Sequence, residues 1–211
     1  MVVLVRTAGQ PGDKEGLSLF LVDANAEGIE RAPHRMVDGR QGAEIRFADV
    51  SVSQDACIGE LNKGYDVAKA VLQEGLLALS AESVGSMSVL LDDTVEYTKT
   101  RKQFGVPISK FQVLQFRMTD MFIVMEQTRS LLLASTLKYV EGHADADKAV
   151  HAMKAQLGRA GRKIGQEAIQ IHGGMGMTDE LGVGHFVKRL TAADGLFGNA
   201  DVHLRGMVKP A

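Results

Sequence analysis

Tryptophan is missing from this 211-residue chain, and aromatic residues of every kind make up only 5% of it. A core without large rings has to be filled by aliphatic side chains and by methionine, of which there are 10; methionine adapts well to irregular gaps. With one cysteine, Cys57, no internal disulfide can form, which fits a reducing compartment. Cys57 stands beside apolar Ile58 with no activating base nearby and reads as a packing residue. Charge of neither sign is in excess: the formal net value is −2, which gives no reason to expect nucleic acid as a partner. No apolar run reads as long enough to span a bilayer. The N-terminus places Arg6 after a short apolar run and lacks the order of a signal peptide. A cytoplasmic protein without a membrane span is expected. His143, His151, His185 and Glu141 have no spacing that compels a metal site, and His151 has no ligand partner at i+4, so no metal is expected. There is no internal repeat and no low-complexity tract.

What is present, 45% hydrophobic and 24% charged residues, is ordinary for a globular chain. Its patterning falls into two parts. Residues 1–58 read as strands. Val2 to Val5 is a short apolar run, Gln10-Pro11-Gly12-Asp13 is turn chemistry, and Leu17 to Val22 reads as a buried strand. From Glu44 to Val50 the residues alternate, with Ile45 and Phe47 on one face, as in an antiparallel sheet with one wet side. These strands are too few for a closed sandwich or barrel, and Met1 reads as falling partway through a domain.

Residues 59–211 read as helices. Leu76, Leu79, Val84, Met87, Leu90, Leu91 and Val95 recur at helical spacing, although Gly75 and Gly85 interrupt them. Ser109-Lys110-Phe111-Gln112 has the form of a capping box for a second helix carrying Leu114, Met118, Met121 and Met125. Asp145 is placed to cap a third, whose Gly158, Gly161 and Gly165 would let a neighbour approach closely. Gln170-Ile171-His172-Gly173-Gly174-Met175-Gly176 then reads as a helix end and a glycine loop, since glycine turns left-handed without a Cβ clash. Thr178 is placed to cap the next helix, with Asp179 and Glu180 at the positive end of its dipole. A turn near Gly195 to Asn199 leads into a final helix ending before Pro210. The expected fold is α+β but mainly α: a partial antiparallel β-domain followed by an up-down bundle of three long and two shorter helices.

Three stretches carry a family resemblance. They are Arg101-Lys102-Gln103-Phe104-Gly105 with downstream Gln112, the Gln170 to Gly176 loop, and Phe47-Ala48-Asp49-Val50 followed by Gly59 and Gly64. Together these resemble the acyl-CoA dehydrogenases, flavoproteins that desaturate acyl-CoA thioesters, over the second half of a family member. The resemblance implies FAD as cofactor. Arg101 would grip the FAD diphosphate, as a guanidinium can with two parallel hydrogen bonds. Gln103, Phe104 and Gln112 would lie beside it. Gln170, Gly173 and Gly174 would lie along the FAD of a neighbouring subunit, and Asn199 and Asp201 match another FAD-contacting stretch. A homodimer, homotetramer or hetero-oligomer with a related subunit is implied, with acyl-CoA as ligand and electron-transfer flavoprotein as a partner.

The family reaction needs a carboxylate within reach of the substrate α-proton. One family position for it falls on Phe197, the other on Gly75, and neither is a carboxylate. Glu74 and Asp201 are the nearest substitutes, although Glu74 is one residue, or about 100°, round a helix from the matching slot. His203 reads as a surface or packing residue, and His172 as a spacer before the loop. Two functions follow: an FAD-dependent acyl-CoA dehydrogenase that is incomplete or needs a partner, and a non-catalytic subunit or fragment of such an enzyme that folds and oligomerises. A related flavin oxidase is a third.

Overall fold

A computed structural model describes residues 1–208. The chain forms two compact units, Met1–Glu74 and Gly75–Ala211.

In the first unit, β1 (Val2–Arg6), β2 (Leu17–Leu21) and the short β5 (Cys57–Ile58) form an antiparallel sheet with β2 in the middle. Leu4 sits opposite Leu19 and Phe20 opposite Cys57, which is half-buried on the sheet's edge strand. A second ladder pairs β3 (Ile29–Arg35) with β4 (Gln41–Phe47), placing Pro33 opposite Ala43. Strand β3 was not foreseen, because a proline inside a run argues against a strand. Here β3 has a single partner, and an edge tolerates the missing donor. Val3, Val5, Phe20, Val22, Phe47, Val50 and Val52 line an open apolar groove of about 390 Å³. Buried Ser18 ties the unit together, bonding Thr7 Oγ1 at 2.6 Å and accepting from the Asn62 backbone at 2.7 Å.

Helix α1 (Gly64–Thr100) starts in this unit and continues into the next. It begins on a glycine because a Cβ there would lie 3.0 Å from the backbone of Ser18 and Leu19. By length and composition α1 could cross a bilayer, contrary to the expectation that no such run exists. Its most apolar window is 56% buried within the protein, the behaviour of a bundle's core helix.

The second unit continues with α2 (Gln112–Val140), α3 (Ala146–His172), α4 (Val183–Gly195) and α5 (Ala200–Val208), an up-down bundle with α3 packed against the other three. Its core is the expected mixture of methionine and aliphatic side chains: Met87, Leu90, Met121, Met153, Leu157 and Ile164 are all fully enclosed. The glycines of α3 work as read. An added Cβ at Gly165 would press on Val187 of α4 at 3.3 Å and one at Gly158 would land on the Asp194 carboxylate, while one at Gly161 would meet Leu190 in ordinary contact at 3.5 Å.

Two expected caps do not form. Helix α2 starts at Gln112 with Phe111 as its unbonded cap, while Ser109 lies in a preceding 3-10 turn. Gly182 precedes α4, and the Thr178 hydroxyl instead donates to Met175 O at 2.9 Å, closing the glycine loop on itself. Asp145 does occupy the cap position of α3, but without a side-chain hydrogen bond.

Candidate functional site

The Arg101 segment is a hairpin. Strands β6 (Lys102–Gln103) and β7 (Val106–Pro107) pair across a two-residue turn, Phe104–Gly105, whose φ angles are 54° and 81°. Positive φ at both central residues marks the type I′ turn that matches strand twist. Phe104 is the unusual member, since bulky residues rarely turn left-handed. It stands 91% exposed, with its ring edge-on to Phe111 at 6.0 Å. Arg101 is exposed at the hairpin's root, and its guanidinium makes no hydrogen bond or ion pair among the described residues. Gln103 folds back to donate to Lys102 O at 2.8 Å, and Gln112 is exposed on the first turn of α2.

The glycine loop is a 3-10 turn, Gly173–Met177, in which Gly173 takes φ 61° and ψ −141°. Added Cβ atoms at Gly173 and Gly174 would meet nothing within 4 Å, so this backbone is open to approach. Gln170 is exposed one turn earlier. The loop and the hairpin are joined at their roots. The Tyr97 ring stacks on that of buried His172 with centroids 4.3 Å apart, and Tyr97 Oη donates to His172 O at 3.3 Å. His172 also bonds Ala168 O through Nδ1 at 2.8 Å. The two motifs therefore share one end of the bundle, and His172 joins them as well as spacing the loop.

Asn199 and Asp201 belong to a different neighbourhood, the α4–α5 turn. It packs on α3 near Gly158, about 20 Å along the helix from His172 at 1.5 Å per residue. Asn199 Oδ1 accepts from Val202 N at 3.1 Å, a helix cap, and Asp201 is exposed. Beneath the turn lies a polar network the sequence reading missed. Fully buried Lys154 donates through Nζ to Asp194 O at 2.8 Å and Gly198 O at 2.7 Å. Buried His203 donates through Nε2 to Phe197 O at 3.0 Å. That assigns the lone pair to His203 Nδ1, which accepts from His151 Nδ1 at 2.9 Å. His151 Nε2 faces the Asp147 carboxylate at 3.9 Å. Burial pushes the Lys154 ammonium below its ordinary value, with Asp194 opposing. Burial likewise pushes His203 down, against the bond to Phe197 O and with help from His151 and Lys154. The signal for Lys154 was present: it falls on the apolar stripe of α3 with Val150, Leu157 and Gly161.

The two positions at which the resemblance leads one to expect a base converge. A Cβ at Gly75 would stand 3.9 Å from the Phe197 ring, so positions far apart in the chain face one another, and neither carries a carboxylate. Glu74 and Asp201 are exposed. No cluster of three or more metal-ligating side chains exists among the described residues.

Residues 62–210 match the acyl-CoA dehydrogenase C-terminal domain, and the chain belongs to the acyl-CoA dehydrogenase family. It is 32% identical over 185 residues to a caffeyl-CoA reductase–Etf complex subunit of Acetobacterium woodii, covering 86% of this chain and 48% of that one. The butyryl-CoA dehydrogenase of Megasphaera elsdenii superposes with a TM-score of 0.88 at 27% identity, over 98% of this chain and 54% of the other. PigA, solved with FAD and proline, superposes with a TM-score of 0.90 at 28% identity, over 98% and 54%. The chain thus spans about half the length of the relatives it matches.

Proposed function

We propose that this chain supplies the FAD-holding half of an acyl-CoA dehydrogenase-type site, whose completed form desaturates an acyl-CoA thioester between its α and β carbons. The observation that carries the reading is the joined pair of motifs. A guanidinium at Arg101 with no hydrogen-bond or ion-pair partner among the described residues and an open glycine backbone at Gly173–Gly174 share one end of the bundle through Tyr97 and His172. A guanidinium free of protein partners is a fitting donor for a diphosphate, and glycine without neighbours lets a large planar ligand lie against the backbone. Arg101, Gln103, Phe104 and Gln112 form one contact group toward FAD, and Gln170, Gly173 and Gly174 the other. Asn199 and Asp201 are a third group, on the α4–α5 turn. Bound FAD would supply the acceptor for the substrate's β-hydride.

The protein works as an oligomer, either a homodimer or homotetramer or a pair with a related subunit. Helix α2 supports this by exposing Val113, Phe116, Phe122, Leu133, Leu137 and Val140, more apolar surface than a lone helix face needs. Electron-transfer flavoprotein is the proposed electron acceptor, and the single free cysteine suits the cytoplasm. The second reading is a non-catalytic subunit, favoured by one observation: a phenylalanine and a glycine face each other where the family places its base.

The visible absorption spectrum of the purified chain, taken with its mass in solution, tests the proposal. A flavin band on a dimer or larger species is expected. A colourless protein that also stays colourless with added FAD would sink the cofactor reading. Flavin that no acyl-CoA bleaches would favour the non-catalytic subunit.

A further inference from the structure

We infer that Lys154 and His203 are positioning residues for the α4–α5 turn: from beneath it they fix residue 197 in left-handed backbone geometry and so set its side chain beside Gly75. The inference deepens the proposed function, on which this turn borders the acyl site; the hold itself does not depend on that reading.

The turn needs holding. Phe197 has φ 58° and Gly198 has φ 97°, two consecutive left-handed residues, of which the first is bulky. Glycine accepts such geometry freely, but phenylalanine adopts it only where surroundings over-determine it. The Phe197 ring is no anchor, being 52% exposed. The fixed points lie in the backbone instead. Phe197 O accepts from His203 Nε2 at 3.0 Å, and Gly198 O accepts from Lys154 Nζ at 2.7 Å. Both donors come from outside the turn, one from α5 and one from α3, and both are nearly inaccessible to water, at 3% and 0% exposure. Each donor is fixed in turn. Lys154 also caps Asp194 O at the end of α4, and Arg162 meets the Asp194 carboxylate at 3.2 Å. His203 is set by His151, whose ring fits because Gly206 has no side chain: a Cβ there would lie 2.9–3.2 Å from the imidazole. Two helices, α3 and α5, therefore converge on two carbonyls. What they hold in place is the side chain nearest Gly75, at 3.9 Å from a Cβ built there.

The chain has no tryptophan, so Phe197→Trp introduces a single fluorescent reporter at the turn. In that background, within the full chain, His203→Gln, His203→Leu and Lys154→Met are compared by tryptophan anisotropy and by amide exchange at Gly198 and Asn199. Far-UV circular dichroism monitors the helices. His203→Gln keeps a donor for the residue 197 carbonyl and an acceptor for His151, and is expected to match the parent. His203→Leu and Lys154→Met are expected to drop the anisotropy toward that of a free side chain and to speed exchange at least tenfold, with helix content unchanged. Unaltered anisotropy and exchange in folded His203→Leu and Lys154→Met would overturn the inference, as would a Gln variant as loose as the Leu variant. Should Lys154→Met not fold, the two His203 variants decide alone. No flavin or acyl-CoA enters these measurements. A loose turn therefore leaves the proposed function standing, and a colourless chain with a held turn leaves this inference standing.

Discussion

Two turns of the helical unit lie at helix ends and carry glycine, yet they are built in opposite ways. Gly173–Met177 leaves its first two residues open, with nothing within 4 Å of where their side chains would be. Leu196–Asn199 has the carbonyls of Phe197 and Gly198 taken by donors buried in the core. The first turn uses glycine to make backbone available. The second uses buried donors to settle where one side chain stands. An open turn suits ligand approach, and a turn held from beneath suits control of geometry.

Lys154→Met should give the largest effect, because it removes the hold on the second turn and leaves Asp194 O and Gly198 O without their donor. Each buried acceptor left unsatisfied costs about 1–3 kcal/mol, partly offset because no ammonium is then desolvated; a net loss of about 2–4 kcal/mol in denaturant unfolding is expected. A loss under about 0.5 kcal/mol, the range of ordinary surface changes, would erase the contrast between the turns. Gly173→Ala comes next. Its φ of 61° with ψ −141° lies where side chains are strained whatever the space, so a loss of about 1–3 kcal/mol is expected. The open surroundings rule out steric overlap as the cause, so an unchanged stability would mean that the turn relaxes freely.

The bundle was legible in the sequence because its signals are periodic and local. Apolar stripes marked the long helices, and Gly158, Gly161 and Gly165 marked where α4 packs. The hairpin at Arg101 was legible as a motif but not as a shape, since Phe104 gives no hint of its left-handed turn. Caps were misread where Ser109 falls inside a 3-10 turn and where the Thr178 hydroxyl donates to Met175 O. The buried network escaped for a different reason. Its members sit at positions 151, 154, 194, 198 and 203, and only tertiary packing brings a lysine to two distant carbonyls. Strand β3 escaped because a proline is admissible only once a strand is known to be an edge.

The pH dependence of stability sharpens the second turn further. His203 is held below its ordinary value of 6.5, chiefly by burial. Around it stand His151, Lys154, Asp147 and, through Lys154, Asp194; only one proton fits between the two Nδ1 atoms. As pH falls through about 6.5, the unfolded imidazole takes up a proton that folded His203 refuses. The unfolded state then binds more protons, so stability is full above that pH, declines below it, and levels off under the folded value. One such proton gives a slope of at most about 1.4 kcal/mol per pH unit. His203→Gln should remove this slope in thermal unfolding at matched ionic strength. A slope that survives the substitution would place the titration elsewhere.

Arg101→Ala should be the mildest change to the fold and the sharpest to the role of the bundle end that the hairpin shares with the open turn. The side chain is exposed and its guanidinium makes no hydrogen bond or ion pair among the described residues, so unfolding should shift by less than about 0.5 kcal/mol. Removing a bidentate phosphate partner, however, should cost flavin retention on the proposed reading, because hydrogen bonds to charged groups contribute about 1.5–3 kcal/mol each. Flavin per chain after gel filtration, read beside thermal unfolding, separates the two quantities. Equal flavin in Arg101→Ala and the parent would remove the hairpin from the cofactor site and leave the glycine loop alone at that end of the bundle. Lost flavin with an unmoved unfolding curve would show that the exposed end serves a ligand and contributes little to the fold.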